Sequence, residues 1–384
     1  MQLPKHIPQL DVLRGVAVLV VIVYHAADTV PSLHLTPFVR LGYTGVDLFF
    51  VLSGFLITGI LVNSKNQQGY FKNFYVRRAL RIWPLYYALL LFTFIVLPAI
   101  QPNLRHSIFE RTHPWQSFFF FMQNLMLNGQ LNGQAFDTLR VTWSLAIEEQ
   151  FYLVWPIVVW LAPRRMLKFL ALSAVLVSVL FRWSVMSGLI NPLNTYTNTL
   201  TRLDGLGMGA FLALWIPESE SRYVRRAGIV LITLALPLAV AVGWSYAGNW
   251  SFNLLLAACF GGLLCVAINA RTLSNLGFLK YTGRISYGLY LVHVPLFVFA
   301  RAVLARRLPA AHSPVVRDIM LLVASFALCY ALAAASWHFV ESKILRWKSR
   351  FEYVTARASL PPLSALALGS ENPGKEQPTL LVNE

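Results

Sequence analysis

Long apolar stretches alternate with short polar ones along almost the whole chain, and the longest approach the roughly 20 residues needed to cross a bilayer core. Hydropathy places about ten of them, near residues 10–28, 42–62, 84–100, 146–162, 168–187, 203–216, 228–245, 252–269, 285–301 and 318–338. The fourth and sixth are short. Each reads as a helix, because a segment in lipid must satisfy its own backbone groups. The expected fold is therefore all-α: a polytopic membrane helix bundle of about ten transmembrane helices. The first stretch lacks a small-residue cleavage site and is soon followed by a second, so it reads as a signal anchor. The bundle is expected over 1–346, with a mobile tail rich in Ser, Pro, Glu and Gly over 347–384. A hydrophilic insertion over about 101–142 is the largest loop, and its Phe118–Phe121 run reads as an interfacial aromatic anchor.

Composition agrees with a membrane protein. The chain is 57% hydrophobic and 12% charged, and its formal net charge is +16, a combination outside the range of ordinary soluble domains. The cations sort by side. With the N-terminus inside, the inward segments carry Lys72, Arg77, Arg78 and Arg81, then Arg164, Arg165 and Lys168, then Arg222, Arg225 and Arg226, and finally Lys343, Arg346, Lys348 and Arg350. The outward segments carry fewer, with the Arg301–Arg317 cluster as the exception. The positive-inside rule then puts both termini in the cytoplasm, and the charge reflects topology and contact with anionic membrane lipids. Cations scattered among loops do not make a nucleic-acid surface. Cys259, Cys265 and Cys329 lie in apolar runs without metal-ligand spacing, so neither a metal nor a permanently bound cofactor is expected. Nothing in the sequence speaks to oligomeric state.

Against this apolar background, ionisable residues inside the spans stand out, since they are costly in lipid and mark functional sites by default. Arg14 and His25 lie in the first span. Eleven residues at about 100° each bring them to one helix face, roughly 16 Å apart along the axis. Arg14 lies at the inner end, near Arg77, Arg78 and Arg81. His25 lies at the outer end, at the expected depth of Asp47 in the second span and of Glu148 and Glu149 at the start of the fourth. Glu148 and Glu149 are about 100° apart round a helix, so one of them faces inward, and Glu149 is favoured. Arg202 and Asp204 read as an interhelical ion pair. Ser286, Tyr287, Tyr290 and His293 recur at three- and four-residue spacing, so one face of the ninth span lines a cavity, although His293 also reads as a satisfied core group. Basic groups at one end and a His–carboxylate group at the other suit a donor with an anionic head and a reactive arm. Acyl-CoA is such a donor; a polyprenyl phosphate would satisfy the basic end equally.

Several segments together resemble the acyltransferase-3 family of integral-membrane acyltransferases. They are Arg14 and His25 with ten residues between, Gly45-Val46-Asp47-Leu48-Phe49-Phe50-Val51-Leu52-Ser53-Gly54-Phe55, Arg78-Ala79-Leu80-Arg81 and Trp143-Ser144-Leu145-Ala146-Ile147-Glu148-Glu149-Gln150-Phe151-Tyr152. Further on come Arg202-Leu203-Asp204-Gly205, Ser286-Tyr287-Gly288-Leu289-Tyr290-Leu291-Val292-His293 and Glu341. The resemblance runs from about residue 8 to 346. It implies transfer of an acyl group, usually acetyl, from cytoplasmic acyl-CoA to a hydroxyl of an extracytoplasmic or lipid-linked carbohydrate, by a multi-pass protein of the bacterial cytoplasmic (inner) membrane.

The chemistry expected of these residues follows. His25, neutral in its apolar helix, takes the proton of the acceptor hydroxyl as that oxygen attacks the thioester carbonyl. Asp47, Glu148 or Glu149 orients the imidazole, as the carboxylate of a hydrolase triad does. Arg14, Arg78 and Arg81 hold the donor phosphates, and Trp143, Ser286, Tyr287 and Tyr290 line the substrate space. The competing reading is a transporter or flippase for a lipid-linked saccharide, with the same His and carboxylates as a proton relay.

Overall fold

Among the described residues, every expected apolar stretch is helical. The computed structural model describes residues 6–27, 39, 41–111, 114–126, 138–190, 195–243, 251–307 and 314–353, and none of these is in a strand. The principal helices are α1 (Pro8–Ala27), α2 (Gly45–Ser64), α3 (Tyr70–Leu91), α4 (Trp143–Leu161), α5 (Arg164–Met186) and α6 (Leu203–Trp215). They continue as α7 (Ser221–Gly243), α8 (Phe252–Asn269), α9 (Gly277–Arg284), α10 (Ser286–Arg307) and α11 (Pro314–Ser336). Among the described residues, eight helices, alone or merged with adjoining turns, are long and apolar enough to cross a membrane, and the bent pair α9–α10 would make a ninth.

The sixth expected span departs from this pattern. Helix α6 has 13 residues, a rise of about 20 Å against the roughly 30 Å of a hydrocarbon core. Single 3-10 turns, Leu200–Arg202 and Ile216–Glu218, extend it at either end. It is a core helix. Leu206, Gly207, Gly209, Ala210 and Leu212 are all buried, and its small residues let neighbours approach at backbone distance. A Cβ on Gly209 would run into the Val51 carbonyl of α2, and one on Gly207 into the Ala171 carbonyl of α5.

Outside this centre the helices turn apolar residues outward. On α5, Phe169, Leu172, Leu176 and Leu180 recur at helical spacing and are exposed, and α7 does the same with Val230, Leu234 and Leu238. Such continuous apolar stripes on a folded surface face lipid.

Breaks in the helices have local causes. Helix α3 runs through a π turn, Phe92–Val96, into Leu97–Ile100. Pro98 lies just beyond, and the extra residue of the turn accommodates its missing N–H and its ring. Helices α9 and α10 meet at 73°. Helix α9 was not anticipated, because eight residues that include Lys280 and Arg284 do not register as a span.

Two expectations at the polar segments need correction. Part of the 101–142 insertion folds as short helices, Asn103–Arg111, Gln116–Phe119 and Gln123–Met126, while 127–137 lies outside the described residues. In its aromatic run Phe118 and Phe121 are buried and only Phe120 is strongly exposed, at 76%; Phe121 stacks on Tyr86 at 4.4 Å. The run therefore anchors the segment to α3 more than to an interface. At the start of the expected tail, Trp347–Phe351 forms a helical turn whose Lys348 and Phe351 carbonyls accept hydrogen bonds from Arg77 of α3, at 3.3 and 3.2 Å. Residues 354–384 lie outside the described residues.

Candidate active site

Some of the polar residues of α1, α2, α3, α4 and α10 meet in one cavity. It opens to solvent, and its lining includes Arg14, Phe49, Ser53, Arg78, Arg81, Glu148, Tyr152, Ser286, Tyr287 and Tyr290. Three of these carry positive charge and one negative. Arg14 approaches Asp11 one turn back on its own helix at 3.5 Å. Arg78 lies over the rings of Phe74 and Tyr152 at 6.0 and 5.8 Å, and no carboxylate among the described residues is within ion-pair distance of Arg78 or Arg81. Lys348, on the turn that Arg77 ties down, lies within electrostatic reach of Arg81, Arg78, Arg77 and Arg14. Four arginines thus gather beside the Lys348 amine, with Asp11, Glu148, Glu149 and Glu341 as the acids within electrostatic reach, an arrangement able to donate charge-assisted hydrogen bonds to an anion.

The expected face of α10 is present. Ser286, Tyr287 and Tyr290 all line the cavity. Tyr287 donates its hydroxyl to the Ile82 carbonyl at 2.7 Å, which ties α10 to α3. Tyr290 donates to the Val141 carbonyl at 2.9 Å, and its oxygen lies 2.6 Å from Ser144 Oγ. Both residues line the cavity.

The two adjacent glutamates separate as helix geometry requires, but in the opposite sense to the expectation. Glu148 faces the cavity and accepts from Ser53 Oγ at 2.6 Å and from Tyr152 OH at 3.1 Å. Glu149 is turned away and accepts from the Trp83 indole at 3.2 Å. Ser53 and Tyr152 were missed by the sequence reading, although Tyr152 stands four residues after Glu148, a spacing that puts the two on one helix face.

Asp47 and Trp143 belong to a different cluster. Asp47 pairs with Arg202 at 2.7 Å, and Arg182 pairs with Asp204 at 2.8 Å. All four side chains are at most 4% exposed. Arg202 and Asp204 are thus in ion pairs, but each with a partner from another helix and not with the other. The Arg202 guanidinium also lies over Tyr196, Phe50 and Trp143 at 5.2, 5.5 and 5.5 Å, a cation–π cage. Trp143 serves that cage and does not line the cavity.

His25 does not line the cavity and sits beside His293. Its Nδ1 is 3.1 Å from the Val21 carbonyl and 3.2 Å from His293 Nε2. His293 is fully buried on α10, its ring 5.7 Å from that of Tyr290. The carboxylates expected to orient the imidazole are engaged elsewhere, and its side-chain partner is a second histidine.

The described residues form a polytopic all-α bundle in which a basic cavity lies close to a histidine pair. The acyltransferase-3 profile, described as an acyltransferase domain, matches residues 7–334, and the chain belongs to that family. The chain is 30% identical over 370 residues to the peptidoglycan O-acetyltransferase OatA of Listeria monocytogenes, a match covering 88% of this chain and 56% of that protein. Against the putative peptidoglycan O-acetyltransferase YrhL of Bacillus subtilis it is 32% identical, covering 88% and 55%. Against the O-acetyltransferase OatA of Staphylococcus aureus strain NCTC 8325 it is 27% identical, covering 89% and 57%. The chain spans about half the length of these curated relatives. No solved structure matches it.

Proposed function

We propose that the protein is a multi-pass membrane O-acyltransferase that moves an acyl group, acetyl by the names of its relatives, from acyl-CoA to a carbohydrate hydroxyl. The observation that carries this reading is the cavity lined by Arg14, Arg78, Arg81 and Tyr290, with His293 and then His25 next to Tyr290. The cations bind the donor phosphates by charge-assisted hydrogen bonds. The pantetheine arm runs along α10 past Ser286, Tyr287 and Tyr290, and the thioester reaches His25 once the Ser144–Tyr290 pair parts. The acceptor hydroxyl gives its proton to His25 Nε2, its oxygen forms the ester bond, and the carbon–sulfur bond breaks. His25 then returns the proton to the departing thiolate. The acceptor approaches from the His25 end; peptidoglycan, named for two of the relatives, is the first to test. Family and cation distribution together favour the bacterial cytoplasmic membrane, with the Arg14 end inside.

The test is binding and turnover of radiolabelled acetyl-CoA by purified protein with peptidoglycan fragments as acceptor. The reading expects Arg14→Ala to lose binding and His25→Ala to keep binding but lose transfer. A wild type that neither binds nor consumes acetyl-CoA or longer acyl-CoA, yet moves a lipid-linked saccharide with protons, would establish the transporter instead.

A further inference from the structure

His293 is neither lipid-facing nor cavity-lining, and its hydrogen bonds leave it one possible arrangement. A carbonyl oxygen only accepts, so His293 Nδ1, 2.7 Å from the Tyr290 carbonyl, carries the proton and the neutral ring's Nε2 is a bare lone pair. The same logic applies to His25. Its Nδ1 faces the Val21 carbonyl at 3.1 Å and the His293 Nε2 lone pair at 3.2 Å, two acceptors, so Nδ1 carries the proton here as well. The Nε2 of His25 is then the unprotonated nitrogen.

We propose that His293 is a positioning residue for His25: it holds the Nδ1–H, leaves the Nε2 lone pair for the acceptor hydroxyl, and stabilises the imidazolium formed when that proton is taken. This inference rests on the reading of His25 as the base. In a hydrolase triad a buried carboxylate does this work. Here Asp47 is committed to Arg202, Glu148 to Ser53 and Tyr152, and Glu149 to Trp83. A neutral imidazole acceptor performs the orienting role without placing an extra anion in lipid. His293 itself gains and loses no proton during the cycle.

Two variants of nearly equal size separate this role from packing. The amide oxygen of His293→Gln reaches the place of the His293 Nε2 and can accept from His25, whereas His293→Asn reaches only the Nδ1 position. The expected result is that His293→Gln keeps kcat within about threefold of wild type, while His293→Asn lowers kcat on the order of 100-fold, the low end of what a positioned acid–base group contributes. Acetyl-CoA KM should change little in either. Equal losses in the two variants, or no loss in the asparagine variant, would overturn the proposal. If His25→Ala itself retains full transfer, it is the reading of His25 as the base that fails.

Nitrogen-15 NMR of histidine-labelled wild-type protein gives an answer that does not depend on how the His293 variants fold. The His25 signals, assigned by their loss in His25→Ala, are expected to show a protonated Nδ1 and a bare Nε2. The opposite tautomer would refute the proposal.

Discussion

Arg202 and Asp47 are 155 positions apart in the chain and 2.7 Å apart in the fold. Both are buried, and the guanidinium is roofed by three aromatic rings. The contact joins the start of α6 to the start of α2, and Arg182–Asp204 repeats the arrangement between α5 and α6. Asp47 therefore holds the core together at the level of the site without facing it.

Removing one member of such a pair leaves an uncompensated buried charge. Asp47→Ala should destabilise the fold by about 3–5 kcal/mol, while replacing both partners with apolar residues, as in Asp47→Leu with Arg202→Met, should recover much of that. Thermal unfolding in detergent checks both. Transfer activity in Asp47→Ala should fall only as far as folded protein does; a stable but inactive Asp47→Ala would return Asp47 to the chemistry.

The basic end makes its own prediction. Replacing Arg14, Arg78 or Arg81 by Ala removes a charge-assisted hydrogen bond worth about 1.5–3 kcal/mol, so the acetyl-CoA Kd should rise roughly 10- to 100-fold. Lys348→Ala should raise it less than any of the three arginine changes, because burial and the neighbouring Arg81, Arg78, Arg77 and Arg14 disfavour the charged form of that amine. Equilibrium binding of labelled acetyl-CoA measures all four. Unchanged affinity across the set would show that the cluster serves topology alone.

The adjacent glutamates should differ sharply. Glu148 accepts two hydrogen bonds within the cavity, and Glu149 faces Trp83 outside it. Glu148→Gln is expected to lower kcat by at least about 10-fold, since the Ser53 and Tyr152 hydroxyls lose a charged acceptor. Glu149→Gln should stay within about threefold. Steady-state kinetics in membranes from cells expressing equal amounts of protein would reveal a reversed order if the cavity assignment is wrong.

Close helix approach can be probed with alanine. At Gly209 an added Cβ meets the Val51 backbone of α2, whereas at Gly277 it meets nothing within 4 Å. Gly209→Ala should cost about 3 kcal/mol, the upper end for overpacking. Gly277→Ala should be neutral or slightly stabilising. Comparison of the two unfolding midpoints decides whether α2 and α6 are in backbone contact.

Much of the site could be read from the chain because the cost of charge in lipid leaves few innocent reasons for Arg14 and His25 to stand in a span. Helical spacing likewise placed Ser286, Tyr287 and Tyr290 on one face, and the cavity has them there. It also showed that Glu148 and Glu149 must face apart. Spacing within one helix cannot say where the neighbouring helices stand, so which glutamate turns inward was not legible. The sequence put Lys348 on the inner side but not beside Arg78 and Arg81, because what brings it there is the bonding of its own backbone carbonyl to Arg77.

The sequence by itself determined that the chain is a helical membrane bundle with a basic end and a histidine end, since hydropathy over twenty residues and helical spacing are local properties. It also carried the family, because the motifs are linear. Only the tertiary structure decided the partnerships: Asp47 with Arg202, Arg182 with Asp204, Glu148 with Ser53, and His25 with His293. All four span more than twenty positions between different helices or their flanking turns; Glu148 and Ser53 are 95 positions apart, and His25 and His293 are 268 apart. Such contacts depend on how whole helices pack, and packing is set by the small residues of α6 and by side chains from every neighbour at once.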